Sequence, residues 1–187
     1  MQKIMIGIVV FVVLALLIYI LKTYNDLVTL RNKGRNQKSQ IDIELKRRFD
    51  LVPNLVEVVK GYAKHEKTAL EDVINARNNY TSVVDNTGLA LEADGNLSSS
   101  LTQLFALSEA YPDLKANTSF LSLQKSLSEI EQKIVYARQF YNDSVYKLNN
   151  KIELFPSNII ASTFNFRKES FFEAKEEEKE NVTTNFE

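Results

Sequence analysis

The sequence predicts an all-α protein in which a single N-terminal transmembrane helix is continuous with an antiparallel four-helix bundle. Three observations carry that prediction. The run Ile4–Leu21 is apolar throughout, with no charged side chain and no proline. The 187 residues hold only five glycines and three prolines, too few turn formers for many short strands. From Phe120 to Phe155, apolar residues recur at a mean spacing of about 3.5, the period of left-handed helix packing.

The apolar run is interrupted only by Gly7 and Tyr19. Its length of about eighteen residues spans roughly 27 Å as a helix, close to a hydrocarbon core of about 30 Å. Backbone polar groups inside a bilayer must pair internally, which requires a helix there. A cleaved signal peptide would have a shorter apolar region followed by a small-residue cleavage site. Here the run ends in Tyr19-Ile20-Leu21-Lys22-Thr23-Tyr24, so a retained anchor is expected. Lys22, Arg31, Lys33, Arg35 and Lys38 follow the run, whereas only Lys3 and the amino terminus precede it. By the positive-inside rule the C-terminal body faces the cytoplasm.

Leu27, Leu30, Gly34, Ile41 and Leu45 continue one apolar stripe beyond the membrane. Proline lacks the donor that a helix interior needs, so Pro53 predicts an end or kink, with Asp50 capping a second helix. That helix is expected to run to Val84 on a stripe of Leu55, Val59, Tyr62, Ala69, Val73, Ala76 and Tyr80. The stretch from Asp85 to Asn96 holds two glycines and several turn formers and reads as a loop. A third helix is expected from Leu97 to Ala110, stopped by Tyr111-Pro112-Asp113. The fourth carries the 3.5-residue stripe, with Ser119 as its cap and Phe155-Pro156 as its end. Asn158–Ala161 then makes one more short turn.

Beyond Ala174 the chain is rich in glutamate and poor in apolar residues, and such a segment cannot offset its ordering entropy. The expected organisation is a short N-terminus (1–3), a transmembrane helix (4–21), a helical domain (22–165) and a mostly disordered acidic tail (166–187).

Composition argues against most chemistry. The formal net charge of −1 offers no field for nucleic acid, and aromatic residues do not interleave with basic ones. With no cysteine there are no disulfides, thiolate nucleophiles or cysteine–zinc sites. His65-Glu66 begins like the zinc-protease signature, but Ala69 stands where the second histidine must be, so His65 reads as a solvent-facing helix residue. No glycine-rich phosphate loop is present, and Ser98-Ser99-Ser100 has no histidine partner nearby and reads as a helix start. No catalytic, metal or cofactor residue is expected, and the protein reads as a non-enzyme. A hydrolase working through carboxylates between helices would need a concave acidic pocket.

The polar residues that stand out are candidates for interaction. Lys46-Arg47-Arg48 is the densest basic cluster, with Asp50 and Asn54 just beyond. It reads either as cations compensating the dipole at the end of the first helix or as a docking patch for an acidic partner. Arg77, Glu109, Glu131, Arg138 and Asn142 lie on or beside the apolar stripes, as register-setting polar layers would, with Tyr141 adjacent.

The stretch Gln40–Val56 (QIDIELKRRFDLVPNLV), then Val59–Glu66 (VKGYAKHE), resembles the LemA family of bacterial membrane proteins. The resemblance continues in Glu109–Ala116 (EAYPDLKA), in Glu131, Ala137-Arg138, Tyr141-Asn142, Asn149 and Ile152, in Phe155-Pro156 and Ile160-Ala161, and closes at Phe171–Ala174. Many members carry tryptophan near Lys38 or Ser39, and this chain has none. The resemblance implies a single-pass protein of the bacterial inner membrane, with a helical bundle and no known catalytic activity. It also implies a link to membrane-protein quality control, because family members often neighbour an HtpX-type membrane metalloprotease in genomes. Two roles follow as expectations. One is a self-associating scaffold whose partners are the lipid bilayer and further copies of itself. The other is an adaptor of a membrane protease.

Overall fold

The long periodic runs fold as helices throughout the computed structural model, which describes residues 1–83 and 87–172. The elements are α1 (Gln2–Tyr62), α2 (Lys67–Val83), α3 (Thr87–Leu107), α4 (Pro112–Lys115), α5 (Thr118–Glu153) and α6 (Ser157–Thr163), with a 3₁₀ turn at Ser108–Ala110. Among the described residues there is no strand. The first part of α1 is long and apolar enough to cross a membrane, with a mean hydropathy of 3.3 over its best window and none of that window buried. The expected acidic tail beyond Ala174 lies outside the described residues.

The chain divides into two compact units, Met1–Gln40 with Tyr136–Glu187, and Ile41–Val135. In the second, four helical segments share one apolar core. Val52, Leu55, Val56 and Val59 come from α1, Leu70, Val73 and Ala76 from α2, Leu97, Leu101 and Leu104 from α3, and Phe120 and Leu127 from α5. Leu114 of α4 and Ala63 complete it. In the first unit a smaller core gathers Leu27 of α1, Leu148 of α5, Ile160 and Ala161 of α6, and Phe166.

Pro53 does not end the first helix, which runs on to Tyr62. Its ring nitrogen cannot donate to the Phe49 carbonyl four residues back, the bond an interior residue would make. Arg77 of α2 supplies the missing donor, its Nε reaching the Phe49 oxygen at 3.4 Å. The same guanidinium lies 3.9 Å from the centre of the Phe49 ring. Arg77→Ala should therefore cost about 1–2 kcal/mol by removing a hydrogen bond and a cation–π contact. In a Pro53→Ala background the helix provides its own N–H, so the cost should fall; urea unfolding of the four proteins completes the cycle.

The break comes instead at Ala63–Glu66. Tertiary hydrogen bonds fasten it on both sides. Asn117 Nδ2 donates to the Tyr62 hydroxyl at 2.9 Å, and the Tyr111 hydroxyl donates to Glu66 Oε1 at 2.9 Å. That last bond is the main reason the Tyr111 phenol is held above its ordinary pKa. His65 is exposed as expected but sits in this turn, not on a helix.

The expected loop before Asn96 is also corrected, because α3 begins at Thr87. A glycine in a helix costs about 1 kcal/mol relative to alanine. Burial of Ala93, Leu97, Leu101 and Leu104 on one face outweighs that local preference. Ser98–Ser100 consequently lie inside a helix. The cap of α5 is Asn117, whose Oδ1 accepts the Phe120 N–H at 2.9 Å, in place of Ser119.

Candidate functional site

Two polar constructions stand out, one in each unit. In the second unit Arg48 is the largest fully buried side chain, with 1% exposure. It projects from the inner face of α1, on the side that carries Leu45, Val52 and Leu55. Asp94 of α3, equally buried, forms an ion pair with it, and Glu131 of α5 forms a second. Arg48 also donates to Ser98 Oγ at 3.0 Å and to the Asp94 backbone oxygen at 3.4 Å. Asp94 and Ser98 are one turn apart on α3, which is why one guanidinium reaches both.

This cluster lies beside a cavity of about 700 Å³ between α3 and α5, lined in part by Leu101, Phe105, Leu121 and Leu127. Among the described residues Glu131 is the one carboxylate in its lining, and it is bound to Arg48. Asp94, the other carboxylate held by Arg48, is not part of that lining. Arginine keeps its charge at any physiological pH, so Arg48 supplies the cluster with a fixed charge that can set register.

In the first unit, a turn at Phe164-Asn165 ends α6, and residues 166–172 then run back along α5 as an extended segment. Asn149 Nδ2 donates to the Glu169 carbonyl at 2.9 Å, and its Oδ1 accepts the Glu169 N–H at 3.0 Å. Asn142 repeats the arrangement on Phe172, with both bonds at 2.8 Å. The spacing explains the match. Seven helical residues rise about 10.5 Å, and three extended residues cover about 10 Å. Tyr141 adds a hydrogen bond to the Ser170 carbonyl at 3.1 Å and a ring contact with Phe172 at 4.8 Å. Burial raises its phenol pKa, with the Glu169 charge contributing. The Arg138 guanidinium lies 6.0 Å from the Phe172 ring. At the other end Phe166 packs against Tyr24, under the guanidinium of Arg31.

The residues singled out from the sequence are thus distributed over different surroundings. Arg138, Tyr141 and Asn142 come together under the extended segment, part of which composition had assigned to the tail. Arg48 is buried, whereas Lys46 and Arg47 on the same helix are exposed, paired with Asp50 at 3.6 Å and Glu44 at 3.1 Å. The dipole reading of this cluster is overturned, since α1 continues for more than three turns past it. Asn54 is exposed, and Glu109 is exposed in an ion pair with Lys115. Sequence reasoning missed Asp94, which it placed in a loop. The four-residue step from Ala93 to Leu97 to Leu101 is the signal that could have found it.

The family model that matches this chain is that of the LemA family, over residues 37–186. Similar curated proteins include Protein LemA of Metamycoplasma hominis, 28% identical over 86% of this chain and 73% of its own length. Magnetosome protein MamQ 2 of Paramagnetospirillum magneticum is 25% identical over 87% of this chain and 69% of its own. Magnetosome protein MamQ of Magnetospirillum gryphiswaldense is 23% identical over 92% and 73%.

Proposed function

The chain belongs to the LemA family, and from that premise we propose that it is a non-enzymatic, single-pass membrane protein acting as a self-associating helical scaffold. In this reading the apolar run 4–21 crosses the inner membrane of a bacterium, the short N-terminus lies outside, and the body from residue 22 onward stands on the cytoplasmic side.

The observation that carries the proposal is an uncovered aromatic face on α5. Tyr136, Phe140 and Tyr146 are all more than half exposed. At about 100° per residue they fall within an arc of roughly 120°, one continuous side of the helix. Large apolar side chains grouped on one face mark a contact surface more often than singly scattered ones do. The two polar constructions of the protein are consumed in holding its own segments together, which suits a structural role.

Detergent-extracted full-length chain should behave as an oligomer in light scattering. Tyr136→Lys with Phe140→Glu should lower its mass towards the monomer without loss of helicity. A monomer at every concentration overturns self-association. Capture of a membrane metalloprotease by that monomer would instead support the adaptor reading.

A further inference from the structure

We propose that the corner at Leu154–Ile159, with Phe164, is a second membrane contact that rests in the headgroup zone of the bilayer. The inference depends on the anchor reading given above.

Within the first unit, α1 and the end of α5 lie side by side in opposite directions. Lys151 is ion-paired with Asp26, and a methyl placed on Gly34 would meet Ser144 Cβ at 4.0 Å. Seven residues of α5 therefore match eight of α1. Continued at that pace, Phe155 comes level with Lys22, the residue after the apolar run ends. The chain then turns back, since Ile160 and Ala161 join the core at Leu27 and the Phe164 ring lies 4.8 Å from that of Tyr24. The corner is thus the part of this return nearest the bilayer.

What it presents there is apolar. Phe155 is 80% exposed, Leu154 61%, Ile159 57% and Phe164 49%. Phe155 is also the last member of the α5 stripe and the one whose side chain finds no place inside. In α6 the exposed Ile159 is followed by the buried pair Ile160 and Ala161, so this short helix has one face on the protein and one facing out. Charges beside the corner are neutralised in pairs, Asp26 with Lys151 and Glu153 with Lys168. The Lys151 hydrogen bond holds the Asp26 carboxyl below its ordinary pKa, so the first pair stays charged and matched. Aromatic and aliphatic side chains beside a membrane span favour the interface over water.

Because the chain contains no tryptophan, a single introduced one reports its own surroundings. Full-length Phe155→Trp and Ile159→Trp would be reconstituted in phosphatidylcholine–phosphatidylglycerol vesicles, with and without bromine on the upper acyl chain. Tyr136→Trp, nineteen residues back and so roughly 28 Å away along α5, is the control. At interfacial depth, bromine should remove roughly half of the emission at positions 155 and 159 and leave that at 136 unchanged. Equal quenching at all three positions, or none in vesicles that carry the protein, overturns the corner contact and leaves the anchor standing. A chain that does not float with the vesicles overturns both.

Discussion

Arg48→Met is expected to destabilise the unit Ile41–Val135 by about 3–5 kcal/mol, the usual cost of removing one partner from a buried ion pair. The loss comes mainly from Asp94. Its side chain is 3% exposed, so the variant takes away the cation paired with a carboxylate held in the core. Glu131 suffers less, because 41% of its side chain already reaches solvent and it can turn outward. Arg48→Met combined with Asp94→Leu removes the stranded charge and should recover most of the loss, since an apolar replacement of a buried pair is often neutral or better. Urea unfolding of the full-length chain in detergent, followed by circular dichroism, gives the comparison. A cost below about 1 kcal/mol for the single variant would mean that water reaches the cluster and compensates it.

Asn142→Ala with Asn149→Ala should free the extended segment while leaving the helices intact. Each amide makes two hydrogen bonds to one backbone residue, and each bond contributes about 0.5–1.5 kcal/mol net. Single alanine variants should speed hydrogen exchange at the Phe172 or Glu169 amide roughly tenfold, and the double variant about a hundredfold at both. Arg167 and Lys168 are exposed within the segment, so trypsin cleavage there offers an independent reading. Asn142→Asp separates the two halves of the interaction, keeping the acceptor for the Phe172 N–H while losing the donor. Its effect should be smaller than that of alanine. Unchanged exchange in the double variant would show that packing of Phe166 on Tyr24 is sufficient to hold the segment.

Helical character and most buried faces were legible because they follow from local periodicity. On α5, Phe120, Leu127, Ile130, Ile134, Ala137, Val145 and Leu148 are buried as their spacing requires, whereas Phe155, just past the end of the helix, is exposed. The steps of seven, seven and four residues that link the buried Leu27, Gly34, Ile41 and Leu45 are likewise read directly from the chain. What escaped depends on partners distant in sequence. Pro53 looked like a stop because its replacement donor, Arg77, belongs to another helix. Gly88 and Gly95 looked like loop residues because the packing that holds α3 together is tertiary. Asn142 and Asn149 matched the family pattern, yet their task could not be read locally. It exists only once residues 166–172 return along α5 with a matching rise.

The way those asparagines grip the segment has an evolutionary consequence. They address the peptide unit and ignore what hangs from it, so at Glu169 the grip uses atoms that nearly every amino acid possesses. Mutational drift there should be broadly tolerated, with proline barred because it has no N–H to give, whereas Phe172 also lays its ring against Tyr141. The selective constraint therefore falls on the asparagines and on that ring, and position 169 is free to diversify.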